Sequence, residues 1–149
     1  MPETDLKNRA MRLLARREHS RVELGRKLAA HAEDSAEVEA VLDELQNRGW
    51  LSDERFTEQM VQVRRGKFGS ARIVHELREK GVGDALIAST LSGLKVGELD
   101  AARAVWAKKF GELPVDAKER AKQIRFLMSR GFRQETISKV LRGRVNEDD

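Results

Sequence analysis

The chain has 149 residues, 36% of them charged and 40% hydrophobic, and its 29 basic and 25 acidic side chains leave a net charge of +4. The absence of cysteine excludes disulfides and thiolate metal sites. No apolar run approaches the roughly 18 residues of a membrane-spanning helix, and the N-terminus has no apolar signal core, so the sequence reads as a soluble cytoplasmic protein.

Almost every segment predicts helix. The only prolines are Pro2 and Pro114, neither of which has to break a helix interior, and no stretch sustains the alternation of a strand. A first helix is expected from Asp5 to Arg17, with Leu6, Ala10, Leu13 and Leu14 on one side. His19-Ser20 breaks it, and Ser20 with Glu23 forms a capping box that opens the second helix. Asp34 with Glu37 opens the third, which is striped by Val38, Val41, Leu42 and Leu45 and stopped by Gly49. Ser52-Asp53-Glu54 starts a fourth, whose buried face should carry Phe56, Met60 and Val63. Gly66 to Gly69 is a turn. Ser70 then caps a helix that ends at Gly81, and a short helix with Ala85, Ile87 and Leu91 ends at Gly93. Another helix is expected from Val96 to Phe110, carrying Leu99, Ala102, Val105 and Trp106. After a loop from Gly111 to Pro114, Asp116 and Glu119 open a helix that runs to Arg130 and stops at Gly131. The last helix carries Ile137, Val140 and Leu141 and meets Gly143. Residues 146–149 form an acidic tail expected to fray.

One spacing occurs three times. Leu28 is followed by Val38 and Leu42, Leu77 by Ile87 and Leu91, and Leu127 by Ile137 and Leu141. A fixed period of about 50 residues is the signature of stacked repeats. The fold class is therefore all-α, with three tandem three-helix repeats at 1–51, 52–94 and 95–145. Units this small bury little core alone and lean on their neighbours. When residues 70–93 are laid on 120–143, Gly81 matches Gly131 and Gly93 matches Gly143, and both pairs are expected where a helix stops. Ala32 stands where the other repeats have Gly81 and Gly131.

The three repeats differ in charge. Residues 118–144 hold nine basic side chains and two acids, whereas 32–46 hold six acids and no base. Lys118, Lys122 and Arg125 follow i, i+4, i+7 spacing and share a helix face, with Ala117, Ala121, Ile124 and Met128 turned toward the core. Arg64-Arg65-Gly66-Lys67, beside Phe68-Gly69, puts a second basic site on a turn before a helix. The candidate contacts for an anionic partner are Arg64, Arg65, Lys67, Arg72, Lys118, Lys122 and Arg125.

Catalytic chemistry has no support. His19, His31 and His75 lack metal-ligand spacing, the acids fall in first helical turns or on charged faces, and the glycines form no phosphate-binding loop. Trp50, Trp106, Phe56 and Phe110 read as core. With no Tyr, the chain is poorly equipped for strong stacking on single strands. No enzyme activity, metal or cofactor is expected.

The run Leu14 to Leu24 (LARREHSRVEL) resembles the opening of the RecX family, bacterial regulators of the RecA recombinase. So does Leu42 to Phe56 (LDELQNRGWLSDERF). Ile73 to Val82, Lys108-Lys109-Phe110-Gly111 and Arg125 to Phe132 (RFLMSRGF) are similar to the family's middle and C-terminal repeats. The resemblance covers nearly the whole chain, and Ala32 is a local departure. It implies an elongated, curved stack of three helical repeats that binds RecA and its filament on single-stranded DNA. Docking in the filament groove would then modulate, mainly inhibit, the ATPase, strand-exchange and coprotease activities that serve recombination, DNA repair and the SOS response. The partners so implied are RecA and, weakly, DNA itself, with no membrane and with the chain acting as a monomer.

Two other readings stand beside this one. Segments 70–80 and 83–91 mimic a helix-turn-helix, which would make the chain an independent DNA-binding protein, but the second helix lacks Arg, Lys, Asn or Gln to read base edges. The other is a passive helical scaffold.

Overall fold

The computed structural model describes residues 2–143, and all regular structure among them is helical. The elements are α1 (Pro2–Arg16), α2 (Arg21–Ala29), α3 (Ser35–Asn47), α4 (Asp53–Arg64), α5 (Ser70–Glu79), α6 (Asp84–Lys109), α7 (Ala117–Ser129) and α8 (Gln134–Arg142). Arg144 of the basic run and the acidic tail at 146–149 lie outside the described residues. The chain divides into two compact units: one comprises the segment up to Met60 with Leu77–Asp84, the other Val61–Glu76 with the segment from Ala85 onward.

Four helix starts are built as their sequences dictate. The side chains of Ser20, Asp34, Ser52 and Asp116 accept from the backbone N–H groups of Glu23, Glu37, Arg55 and Glu119 at 3.1, 3.0, 3.1 and 2.8 Å. Each satisfies one of the amides that a helix start leaves unpaired. In the first unit, Leu6 and Ala10 of α1 meet Leu24 and Leu28 of α2 and Val38, Val41, Leu42 and Leu45 of α3 in one apolar cluster. In the second, Ala102 of α6 packs with Leu127 of α7 and Ile137, Val140 and Leu141 of α8. Of the nine residues in the repeated spacing, eight are buried and Leu91 is half-buried.

The largest departure from the expected elements is α6. Gly93 does not end a helix, and 84–109 is one continuous helix of 26 residues. Ile87, Leu94, Glu98 and Ala102 are all buried on it. Their spacing of seven, four and four keeps a single face inward across Gly93 and Gly97. A glycine inside a helix costs about 1 kcal/mol relative to alanine, which a buried face of this length outweighs. Gly81, Gly131 and Gly143, by contrast, take positive φ of 77°, 86° and 83°.

Several apolar residues expected inside are exposed. Val63 is 54% and Met128 48% accessible, and Ala85 and Ala117 also face outward. A helix buries one stripe, and on α7 Leu127 takes the inward position next to Met128. Trp50 lies outside with the Arg48 guanidinium 5.1 Å above its ring, while its neighbour Leu51 is buried instead.

Both left-handed glycines that follow a second helix of a repeat serve as docking points. In the second unit the N–H groups of Gly69 and Ala71, at the start of α5, donate to the carbonyls of Arg130 and Gly131 past the end of α7, at 2.8 and 3.2 Å. In the first unit the Ser20 hydroxyl, at the start of α2, donates to the Lys80 carbonyl past the end of α5 at 2.5 Å. A Cβ on Gly131 would lie 2.3 Å from Arg72 Cβ, and one on Gly81 would lie 2.3 Å from Val22 Cγ2. Glycine is needed there twice over, for its positive φ and for the close approach. Ala32 follows α2, and among the described residues none other than glycine has positive φ.

Candidate functional site

The second unit gathers the basic side chains around three aromatic rings. Phe68, in the turn between α4 and α5, has the guanidinium of Arg72 4.2 Å, that of Arg130 5.5 Å and that of Arg64 5.8 Å from its ring centre. Arg130 also lies 5.1 Å from the ring of Phe126, which the Lys109 ammonium approaches to 5.3 Å. Phe126 meets Phe110 edge to face, with centroids 5.5 Å apart. Ring faces attract cations without neutralising them, so the rings order Lys109 and Arg130 without pairing their charges.

A buried carboxylate holds the frame beneath it. Glu98, 3% accessible, accepts from the N–H and hydroxyl of Ser70 at 2.8 and 2.6 Å, from Arg133 Nε at 2.8 Å and from the Thr136 hydroxyl at 2.5 Å. It therefore ties the starts of α5 and α8 to the middle of α6. Ser70 is not the cap expected of it: its hydroxyl donates to Glu98, and Glu98 takes up the amide. Burial pushes the Glu98 carboxyl up, but the hydrogen bonds from Ser70, Thr136 and Arg133 outweigh it and hold the carboxyl below its ordinary value.

Two surface grooves adjoin the ring cluster. One, of about 570 Å³, is lined by Gly66, Lys67, Ala104, Val105, Lys108, Lys109, Phe126 and Arg130. It carries four cations and no carboxylate. The other, of about 580 Å³, contains Lys118, Lys122 and Arg125 together with Lys109, but also Glu112, Asp116 and Glu119, and it is edged by Leu113 and Val115. Val115 is 91% accessible.

The seven expected contact residues thus divide. Lys118, Lys122 and Arg125 line one groove, as their spacing requires. Lys67 lines the other. Arg64 and Arg72 are partly committed within the fold: Arg64 Nε pairs with Glu76 at 3.0 Å, and Arg72 reaches Glu76 at 3.7 Å and the Ser129 carbonyl at 3.3 Å. Arg65 is exposed, with its guanidinium beside Gly97. Lys108, Lys109 and Arg130 were not among the seven. Arg130 falls in the basic run, and Lys108-Lys109 end a helix, but only the packing of α6 against α7 brings them together.

Among the described residues, no group of three or more His, Asp or Glu is placed to hold a metal ion, and no helix is long and apolar enough to cross a membrane. Segment 84–91, the recognition helix of a helix-turn-helix reading, is the opening of α6 and has Ile87 buried.

Known proteins share this fold. The family description "RecX, first three-helix domain" matches residues 7–45, the second domain matches 52–91 and the third 97–141. The α6 helix thus spans the end of the second match and the start of the third. The chain is 50% identical to a regulatory protein RecX of Leptothrix cholodnii over 148 residues, covering 99% of this chain and 94% of the relative. It is 46% identical to one from Ralstonia pickettii, covering 93% and 87%. Among solved structures, RecX from Lactobacillus salivarius superposes with a TM-score of 0.80 at 16% identity, covering 95% of each chain. A second crystal structure of regulatory protein RecX superposes at 0.83 and 18% identity, covering 95% of this chain and 74% of that one.

Proposed function

Because the chain belongs to the RecX family of regulatory proteins, we propose that it binds the RecA recombinase, free and as a filament on single-stranded DNA. Docking in the filament groove would restrain RecA's ATPase, strand exchange and coprotease activity. The protein works in the cytoplasm as a monomer, by binding and not by catalysis.

The observation that carries this reading is the concentration of cations around Phe68 and Phe126, on the last two repeats. A recombinase filament offers both DNA phosphate and protein surface, and the two grooves differ in the same sense: one is purely basic, the other mixed and edged by exposed apolar side chains. Lys118, Lys122 and Arg125 are the contacts assigned to the protein side, and Lys67 to the DNA side. Arg64, Arg65 and Arg72 flank them.

The test is the ATPase of RecA stimulated by single-stranded DNA, measured with and without this protein, beside binding to bare duplex. Loss of ATPase at substoichiometric protein supports the reading. An unaffected ATPase with tight, sequence-selective duplex binding would replace it with independent DNA binding, and inertness in both assays would leave a scaffold.

A further inference from the structure

We propose that the acidic segment 146–149 folds back along α7 and sets Glu147, Asp148 and Asp149 against Lys118, Lys122 and Arg125, so that the chain masks its own partner-binding face until a stronger acidic surface displaces it. That this face receives a partner rests on the regulatory reading, whereas the fold-back itself does not.

The chain leaves α8 at the rim of the mixed groove. A Cβ built on Gly143 would lie 3.3 Å from Leu113 Cδ1, and Leu113 lines this groove and not the purely basic one. The rim is fixed from beneath by the buried side chain of Gln123, which accepts from Trp106 Nε1 at 2.8 Å and donates to the Glu112 carbonyl at 3.1 Å. Leu113 and Val115 are nevertheless exposed on that anchored loop, so the groove joins a fixed apolar edge to the cations of α7. Residues 144–149 follow Gly143 as Arg144, Val145, Asn146, Glu147, Asp148 and Asp149. Read outward from Gly143, a base, an aliphatic side chain and three acids match the order of the groove: Glu112, then Leu113 and Val115, then Lys118, Lys122 and Arg125. Extended, this segment reaches about 20 Å, whereas Lys118 to Arg125 covers only about 10 Å of α7. The three cations are exposed and form no ion pair among the described residues. The acids that share the groove are spent on the start of α7. Asp116 caps it through the Glu119 N–H at 2.8 Å, and Glu119 sits in the first turn, where the helix dipole favours negative charge. Surface ion pairs are individually weak, but a segment tethered this closely presents its acids at an effective concentration on the order of millimolar. A free acidic peptide or a second copy has to compete with that.

The experiment needs no recombinase, so its failure is distinguishable from failure of the regulatory reading. The chain has no cysteine, and Asn146→Cys therefore gives a single attachment point for a nitroxide. Paramagnetic broadening of backbone amide signals is compared between this protein and one that also carries Glu147→Gln, Asp148→Asn and Asp149→Asn. At low salt the acidic form is expected to broaden residues 118–125 about threefold more than the neutralised form. The excess should vanish at about 1 M salt, where the screening length falls to about 3 Å, and also in Lys118→Gln with Lys122→Gln. Masking is read from the anisotropy of labelled poly-glutamate. The neutralised form should bind it about threefold more tightly than wild type, and Lys118→Gln with Lys122→Gln should erase that gain. Equal broadening in the two forms overturns the fold-back, and equal or absent poly-glutamate binding overturns the masking. Excess broadening at Lys67 and Arg130 instead overturns the assignment in favour of the purely basic groove. Excess broadening of an isotope-labelled chain by a separate spin-labelled one overturns it in favour of a second copy.

Discussion

Gly131 receives the start of α5 on its own backbone: the Ala71 N–H donates to its carbonyl at 3.2 Å. Its φ is 86°, and a Cβ there would lie 2.3 Å from that of Arg72. Gly131→Ala is therefore expected to lose about 3 kcal/mol, combining the left-handed penalty with displacement of α5. Ala32→Gly, at the equivalent position of the first repeat, should cost no more than about 1 kcal/mol. Urea unfolding of both variants checks the contrast, and equal losses would contradict the docking role.

Glu98→Gln should be among the most damaging conservative changes in the chain. It keeps the shape but removes the charge that serves Arg133, and it sets an amide donor against the donors of Ser70 and Thr136. The expected loss is about 3 kcal/mol, whereas Thr136→Val, which removes one hydroxyl, should cost about 1 kcal/mol. Chemical denaturation measures both.

Acid should weaken the fold in two steps. Burial pushes the His19 imidazole below its ordinary value of 6.5, with its Nδ1 held 3.0 Å from the Arg17 carbonyl. The unfolded state then binds the extra proton, so stability is full above that value and falls as pH drops through and below it. The Glu23 carboxyl is also desolvated by burial, but hydrogen bonds and charge from Arg17 and Lys80 win and bring it to about 2. Its contribution is full above pH 4.5 and is lost as pH falls toward 2. It amounts to about 2 kcal/mol once solvent screening of the part-exposed partners is allowed for. Urea midpoints across pH 7.5 to 2.5 should show both steps, with the upper one absent in His19→Gln.

Gly93→Ala should stabilise the protein by about 0.5–1 kcal/mol. The residue is exposed inside α6, and a Cβ there meets nothing within 4 Å, so alanine gains helix propensity at no steric cost. A fall in melting temperature would mean that Gly93 marks a break between two helices.

On the proposed reading, Lys118, Lys122 and Arg125 changed together to Glu should weaken filament binding, and with it restraint of the RecA ATPase, while far-ultraviolet circular dichroism keeps its helical form. All three are exposed on α7 and form no ion pair among the described residues. Undiminished inhibition would remove that face from the interface.

What was legible in the chain was what local chemistry decides. Ser20, Asp34 and Asp116 cap their helices because each sits three residues before an amide that the helix start leaves unpaired. Eight of the nine residues in the repeated Leu–Val/Ile–Leu spacing are buried because periodicity selects one face of each helix. The misreadings came where distant partners decide. Glu23 and Glu98 look like ordinary helical acids, yet one is buried by Arg17 and Lys80 and the other by Ser70, Arg133 and Thr136. Gly93 resembles Gly143 in sequence, but only the buried stripe through Leu94 and Glu98 reveals that its helix continues. The basic stripe of α7 follows from spacing alone. The convergence of Lys67, Lys108, Lys109 and Arg130 does not, because it joins the turn after α4 with the ends of α6 and α7.

The docking of one second helix onto the end of the next also sets an order of events during synthesis. The Ser20 hydroxyl must wait for a carbonyl sixty residues further along the chain, and the amides of Gly69 and Ala71 wait for Arg130 and Gly131. As the chain leaves the ribosome, the first two repeats therefore emerge with donors at the starts of α2 and α5 whose acceptors belong to the repeat that follows. A polypeptide cut short within α7 would leave α5 open to fraying and proteolysis, although every residue of its own repeat had been made.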